Sequence, residues 1–486
     1  MSEPAQPTSD QPYPPRLWWT KRIALSLMVL VVVLSIVRLW WGQSAHARLG
    51  REIATIRAAG EPVTVEDIKD PDVPDAENAA ILWNQAMAAI NGNVNTPAQS
   101  NLEYHDYPPY SDEFLHLLET GVKGNGKALA LARQARSRTA VNWKIQFSSP
   151  LVNTMLPSLN QARDLANVVG DSALHAHMYG GDFEAVERVR DVRRLSEDVR
   201  RQPFLVSYLV AVGIGALALN RLEIIAPELQ IETSPQAATR EQLQGLVNAL
   251  LGESEDLKPI HRTMASERVW ALDVTSDYSK KARLLTPMFE AWAAEELGQS
   301  GIVVHAADQP TRAAVKQVVA TLPPRNNELP RLLTTPVPMP SAPAASRISR
   351  ITQWMIVGSS AARYLEVDLR ARAEERLAAV SIAVRMYRVD HGEWPASLDA
   401  LVPKYLPIVP RDPCATDAPI GYMLIKHGLP DGKDRPVIYS VGDSGDIDVE
   451  EKYVPPVPTY DWMRGNIQFR DLSRWSPPAS TQPAEQ

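Results

Sequence analysis

Three carboxylates, Asp443, Asp446 and Asp448, fall within six residues near the C-terminus, and Glu450 and Glu451 follow them. Hard oxygen ligands in a short glycine-containing loop are what a calcium ion requires. These three aspartates are therefore the candidate metal ligands, and calcium the candidate cofactor. The run is not an EF-hand, because the alternating ligand positions and the closing glutamate are wrong. A solvated acidic turn is the plainer reading. Asp171 and His175 stand one helical turn apart and share a face that could hold a metal, whereas His177 diverges from them at i+2. Ordinary polar residues on a helix hairpin are the alternative there. Glu103, His105, Asp106, Glu113 and His116 are dense in titratable groups but lack a metal-ligand spacing. The run ERVRDVRRLSEDVRR (187–201) interleaves its arginines with Glu187, Asp191, Glu197 and Asp198. Mixed signs three and four residues apart predict a solvated helix face.

Gly442-Asp443-Ser444-Gly445 matches the nucleophile motif of trypsin-like proteases, whose chemistry also needs a histidine base and a buried aspartate on a β-barrel. His305, in VVHAAD, is the nearest imitation, and its surroundings carry a helical pattern. No P-loop, dinucleotide fingerprint, G-x-S-x-G or H-E-x-x-H occurs, so no catalytic and no cofactor-binding residue is assigned. The net charge of -7, with no strongly basic stretch, argues against nucleic acid as a partner. A single cysteine, Cys414, excludes an intrachain disulfide and a cysteine-based zinc site, and burial is its expected fate.

The elements that would position these groups are mainly helical. The 486 residues suffice for two or three domains, and the 40 prolines gather at the N-terminus, over 323–343 and near the C-terminus, marking tails and a linker. Residues 1–20 read as a disordered cytoplasmic tail. Residues 21–42 read as a transmembrane helix: the apolar run 23–37 is interrupted only by Ser26 and Ser35, Trp18-Trp19 and Trp40-Trp41 form aromatic belts, and Arg38 can snorkel. Ala45-His46-Ala47 offers an alternative as a signal-peptidase site, but Trp40-Trp41 is an awkward approach to it. A short tail and a large remainder put the protein in the cytoplasmic (inner) membrane, single-pass, with the bulk of the chain extracytoplasmic.

Residues 43–320 form a helical domain on periodicity. Segments 77–90, 111–121 and 126–136 are examples, and Ser111 is placed as a cap before Phe114, Leu117 and Leu118. Residues 172–201 read as an αα-hairpin broken at Gly180-Gly181, with Phe183, Val186, Val189 and Val192 on one face. Segment 202–226 is apolar almost all round and long enough to raise a second span; a central core helix is favoured. The array resembles tetratricopeptide-type repeats but shows no 34-residue period. Residues 321–345 hold seven prolines and read as a linker.

A long helix then runs to Asp390, with Leu369, Ala373, Val380, Val384 and Tyr387 on one face and Arg370, Glu374, Ser381, Arg385 and Arg388 on another. His391-Gly392 ends it. A short helix over 397–402 and strands over 421–425 and 437–441 follow, with a turn at Pro430-Asp431-Gly432.

The order MYRVDHGEWPASLDALVPKYLPIVPRDPC, IGYMLI, VIYSVGDSGDID resembles the C-terminal globular part of type II secretion major pseudopilins. The resemblance spans roughly 365–450. It implies a pilin-like α+β module at 346–460, a long helix feeding a small antiparallel sheet with a calcium loop after a Tyr-Ser-x-Gly-like strand, and a tail at 461–486. The stretch before Ile23 has no Gly-Phe-Thr-Leu-x-Glu-like methylation site. The chain as a whole looks more like bacterial membrane-anchored proteins, without an assigned activity, that reuse such a module. The resulting expectation is a membrane-anchored extracytoplasmic interaction or scaffold protein. The alternatives are a pseudopilin-like component of a secretion or cell-envelope assembly, and a hydrolase whose site is assembled from residues distant in sequence.

Overall fold

The structure, a computed structural model, describes residues 18–92, 110–156, 158–321, 357–429, 431–442, 449–450, 454, 463–464 and 467–472. Residues 1–17 of the expected tail, 322–345 of the expected linker, Glu103, His105, Asp106 and the acidic loop with Asp443, Ser444, Asp446 and Asp448 lie outside these residues, whereas 18–20, expected in the tail, already belong to the first helix. The described chain is mainly helical, with a small antiparallel sheet and a long apolar N-terminal helix.

Helix α1 (Trp18–Ala58) runs unbroken for 41 residues. Among the described residues nothing buries its apolar first half: the side chains of Ile23, Leu30, Leu34 and Val37 are all about half exposed or more. Its second half is anchored in the body, where Leu49, Ile53 and Ile56 pack with Val63, Leu272 and Leu297. One helix thus carries both a candidate membrane span and a structural strut.

The body begins with α2 (Ala79–Ala88), α3 (Asp112–Gly124) and α4 (Gly126–Arg136). Side-chain caps fix two of the starts: the Asn78 carboxamide accepts from the Ala80 amide at 3.0 Å and Ser111 Oγ from the Phe114 amide at 3.2 Å. The hairpin of α5 (Ser158–Met178) and α6 (Asp182–Arg200) turns through Gly180 at φ +78°, a left-handed value that glycine adopts without a Cβ clash. Val186, Val189 and Val192 are buried as their spacing predicts, but Phe183 stays 43% exposed. It occupies the first turn of α6, where its backbone bonds to Gln236 and Gln242.

Helix α7 (Leu205–Ile225) buries Ile214, Leu219, Leu222 and Ile225 against α5, α6 and the long C-terminal helix. More than half of its most apolar stretch is inside the protein, which favours the core-helix reading over a second span. Then come α8 (Arg240–Glu255), α9 (Lys258–Lys281), α10 (Thr286–Ala307) and α11 (Arg312–Val319).

The long helix α12 (Val357–His391) is the spine. Its first half contributes Leu365, Leu369 and Ala373 to a core shared with α9, α10, α11, Tyr208 and Cys414. Its second half, from Leu377 to Met386, sits in a larger core with α2, α4, α5, α6, α7 and α8. The helical region and the C-terminal region therefore share hydrophobic cores across the proline-rich stretch. Nor is α12 amphipathic in the expected sense. Of the expected polar face, Ser381 is buried and Arg370, Glu374, Arg385 and Arg388 are half-buried, while Asp368, Arg372, Glu375 and Arg376 are enclosed as well.

Gly392, at φ +72°, terminates α12, and Leu398–Leu401 forms a 3₁₀ turn. Strands β1 (Gly421–Ile425), β2 (Arg435–Ser440), β3 (Met463–Arg464) and β4 (Ile467–Asp471) form an antiparallel sheet in the order β1-β2-β4-β3. The expected tail at 461–486 is thus corrected: β4 pairs with β2 through Tyr439↔Phe469 and Ile438↔Arg470. Of its described side chains Gln468 and Arg470 are buried, facing Glu374 and Glu223 on the helices. The apolar–polar alternation Ile467-Gln468-Phe469-Arg470 is a strand pattern, too short to stand out in a proline-rich stretch.

Candidate functional site

The charged run on α6 is not a solvated face. Asp191 is fully buried and takes Arg133 at 2.8 Å, Arg136 at 3.1 Å and Arg188 at 3.5 Å. Asp198, equally buried, accepts from Trp83 Nε1 at 2.8 Å and Arg194 Nε at 3.1 Å. Burial nevertheless pushes the Asp198 carboxyl up to about 6. Glu187 would be raised by burial too, but hydrogen bonds from Arg136 and Gln242, and the Arg136 charge, hold it at about 2. Two of these arginines, Arg133 and Arg136, come from α4. Neighbouring helices supply counter-charges that sequence spacing along α6 alone does not reveal.

The network continues into α12. Arg193 pairs with Glu375 at 3.1 Å and also with Glu253, and Arg200 lies 3.7 Å from Glu375. Tyr208 donates to Asp368, which also holds Arg372 at 2.9 Å. Arg376 donates to the Arg411 carbonyl at 2.6 Å and to Ser254 Oγ at 3.1 Å. These groups are enclosed and paired across helices, so they register α12 in its slot.

The sequence candidates separate. Asp171 is committed to Arg221 of α7 at 3.0 Å, while His175 stacks on Tyr179, so the two do not form a metal face. Burial lowers the His175 pKa, which favours the neutral ring. His177 pairs with Asp182 at 2.5 Å. Among the described residues no group of three or more His, Cys, Asp or Glu is placed to hold a metal ion. At the edge of the undescribed acidic loop, Asp412 accepts from Ser440 Oγ at 2.9 Å and from the Val441 amide at 2.8 Å, and Arg312 donates to the Gly442 carbonyl. Asp412 also accepts from the amide of Cys414, which is buried as expected.

The cleft with convergent polar groups lies elsewhere, between α9 and α10. Met264, Glu267, Ala271, Leu272 and Thr275 line it from α9, and Trp292, Ala293, Glu296, Leu297, Ser300 and Val303 from α10. Both sets recur at three- and four-residue spacing, so each is one helix face. Leu205 and Tyr364 also line the cleft, whose open interior is small, about 40 Å³.

Two carboxyls sit in this apolar wall. The Leu205 amide donates to Glu267 Oε1 at 2.9 Å, and burial raises the Glu267 pKa despite that bond. Burial, and then repulsion from Glu295, push Glu296 up to about 7. Arg268, also on the wall, is consumed by Glu61 at 2.6 Å. No protein-family model, curated protein or solved structure matches this chain.

Near neutral pH, Glu296 therefore exchanges between a carboxylic acid that donates and a carboxylate that accepts. A closed space of that size holds a water or one small polar group beside Glu296, and a larger partner would meet it at the rim. Sequence reasoning missed both glutamates. The signal was a glutamate lying on an apolar stripe, Glu267 after Met264 and Glu296 after Ala293, where the helix pattern calls for a hydrophobe.

Proposed function

We propose that the chain is a membrane-anchored scaffold that presents a binding cleft to an extracytoplasmic partner and has no catalytic site of its own. The observation that carries this reading is α1: its bare apolar half continues without a break into a half packed on the body, beside the helix pair that forms the cleft. The anchor is then part of the folded unit rather than a leash. A photo-crosslinking side chain at Trp292 or Tyr364, activated in intact cells, should yield a discrete adduct that the same group at exposed Lys316 does not. Indistinguishable patterns at both places would count against the cleft. Release of the intact protein by carbonate or high-salt washing would remove the anchor. Protease protection of the body in spheroplasts would reverse the topology.

The C-terminal unit is read as pseudopilin-like. In support, α12 leads through a 3₁₀ turn and the Asp412-Pro413 loop into an antiparallel sheet. Under that reading Asp443, Asp446 and Asp448 hold calcium, and millimolar calcium raises the melting temperature; no shift ends that assignment.

A second reading, hydrolysis, is favoured by Glu267 and Glu296 alone, since two carboxyls with raised pKa values in one apolar cleft are the groups an acid–base pair would use. Hydrolytic turnover abolished by both Glu267→Gln and Glu296→Gln would establish it in place of the scaffold.

A further inference from the structure

The turn between α9 and α10 exposes a tight group of large apolar side chains. Leu284 is 79% exposed, Leu285 47% and Met288 42%. Lys280, Lys281 and Arg283 flank them and are exposed as well. On a freely soluble surface such a cluster of leucines at the tip of a helical hairpin is costly.

The position of this tip along α1 identifies what covers it. Arg38 donates to the Leu284 carbonyl at 2.5 Å and to the Arg283 carbonyl at 3.3 Å. Pro287 lies 3.4 Å from where a Cβ on Gly42 would stand, and Glu290 lies 3.2 Å from His46. Further up, Leu297 packs with Ile56. Residues 287, 290 and 297 thus meet 42, 46 and 56 in the same order, so α10 runs parallel to α1, away from the apolar segment. Helix α9 descends to the turn, and α10 climbs from it.

The tip is therefore level with Arg38, directly at the end of the apolar run 23–37, and two to three residues short of the exposed pair Trp40-Trp41. At about 1.5 Å per residue that offset is only about 3–5 Å along the axis. If α1 spans the bilayer, Arg38 and the two tryptophans sit in the headgroup region, and so does the turn.

We propose that the α9–α10 turn is a second, monotopic membrane contact. Leu284, Leu285 and Met288 enter the acyl boundary, and Lys280, Lys281 and Arg283 face anionic headgroups. The occupant of this apolar tip is the lipid surface that already surrounds α1, and the inference rests on α1 being a span. Together the two contacts would fix the rotation of the body about the helix axis. A single helix cannot do this.

The test uses the full chain with Cys414→Ala, reconstituted into vesicles of phosphatidylcholine and phosphatidylglycerol. A polarity-sensitive dye is placed on Leu284→Cys, Leu285→Cys, Leu30→Cys or Lys316→Cys, and lipid spin-labelled near the headgroup is added. Emission at 284 and 285 should shift to the blue and fall about twofold or more on adding the spin label, as at 30, while 316 stays unquenched. The two adjacent sites guard against a local fault in either variant. Quenching at 30 but at neither 284 nor 285 overturns the lipid contact and leaves the anchor standing. No quenching at 30 overturns both. Quenching at 316 as strong as at 284 means the body lies flat on the vesicle, which also overturns a contact confined to the turn.

Discussion

At the residue scale the protein is shaped by carboxylates placed in its interior with opposite outcomes. Glu187 is drawn below its ordinary value by Arg136, Gln242 and Arg190, so its folded pKa of about 2 lies beneath the unfolded 4.5. Its stabilisation is fully present above the unfolded pKa and is lost as pH falls through 4.5 towards 2. Glu187→Gln should cost about 3 kcal/mol at neutral pH, because Arg136 and Arg190 keep their charges without this partner, and should flatten the acid limb of a melting-temperature profile. A profile that keeps its acid slope would show that other carboxylates set it.

Glu296 behaves in the reverse sense. Its folded value of about 7 lies above the unfolded 4.5, so the folded state binds the extra proton and stability falls as pH rises through that window. Glu296→Gln should remove the decline and leave the variant more stable at pH 8 by on the order of 1–2 kcal/mol, after discounting for solvent at the cleft mouth. Melting the purified protein in detergent from pH 2 to 8 checks both variants.

At the element scale, burial periodicity was legible wherever one face of a helix meets one neighbour. The valines of α6, the cap at Ser111 and the stop at Gly392 all follow from local spacing. The failures share one physical cause. On α6, α9, α12 and β4, polar side chains face the interior because a partner distant in sequence neutralises or hydrogen-bonds them: Arg133 for Asp191, Arg193 for Glu375, the Leu205 amide for Glu267 and Glu374 for Gln468. A rule that assigns charge to solvent cannot see such partners, so it also overlooked the cleft glutamates.

The sheet has an equally specific fit. Gly421 pairs with Tyr439 across β1 and β2, and a Cβ on Gly421 would stand 2.1 Å from the Tyr439 ring. Gly421→Val should therefore destabilise the protein by about 1–3 kcal/mol, as overpacking does. Adding Tyr439→Ala should recover part of that loss relative to Tyr439→Ala alone. A double-mutant cycle by chemical denaturation measures the coupling, and a coupling near zero would mean that the ring swings aside at no cost.

At the scale of the whole molecule, the two cores are strung along α12 and meet α7 and α9 as well. Neither core can lose the spine and persist. Thermal unfolding of the body beyond the exposed half of α1 should therefore be one cooperative transition, with helix signal and tryptophan emission changing together. Two resolved transitions would show that the sheet and its helix come away as an independent domain.

The chain position of α12 has a consequence for biosynthesis. The segment that completes the interior is made after α1 to α11, so α6 must wait for Glu375 with Arg193 and Arg200 unneutralised by it. If α1 inserts first and the remainder crosses the bilayer as it is made, the nascent body is held beside the lipid in an incomplete state, its greasy slot open, until α12 is made. Such an intermediate is a natural client for holdase chaperones, and a premature stop anywhere before residue 357 would leave it with no way to close.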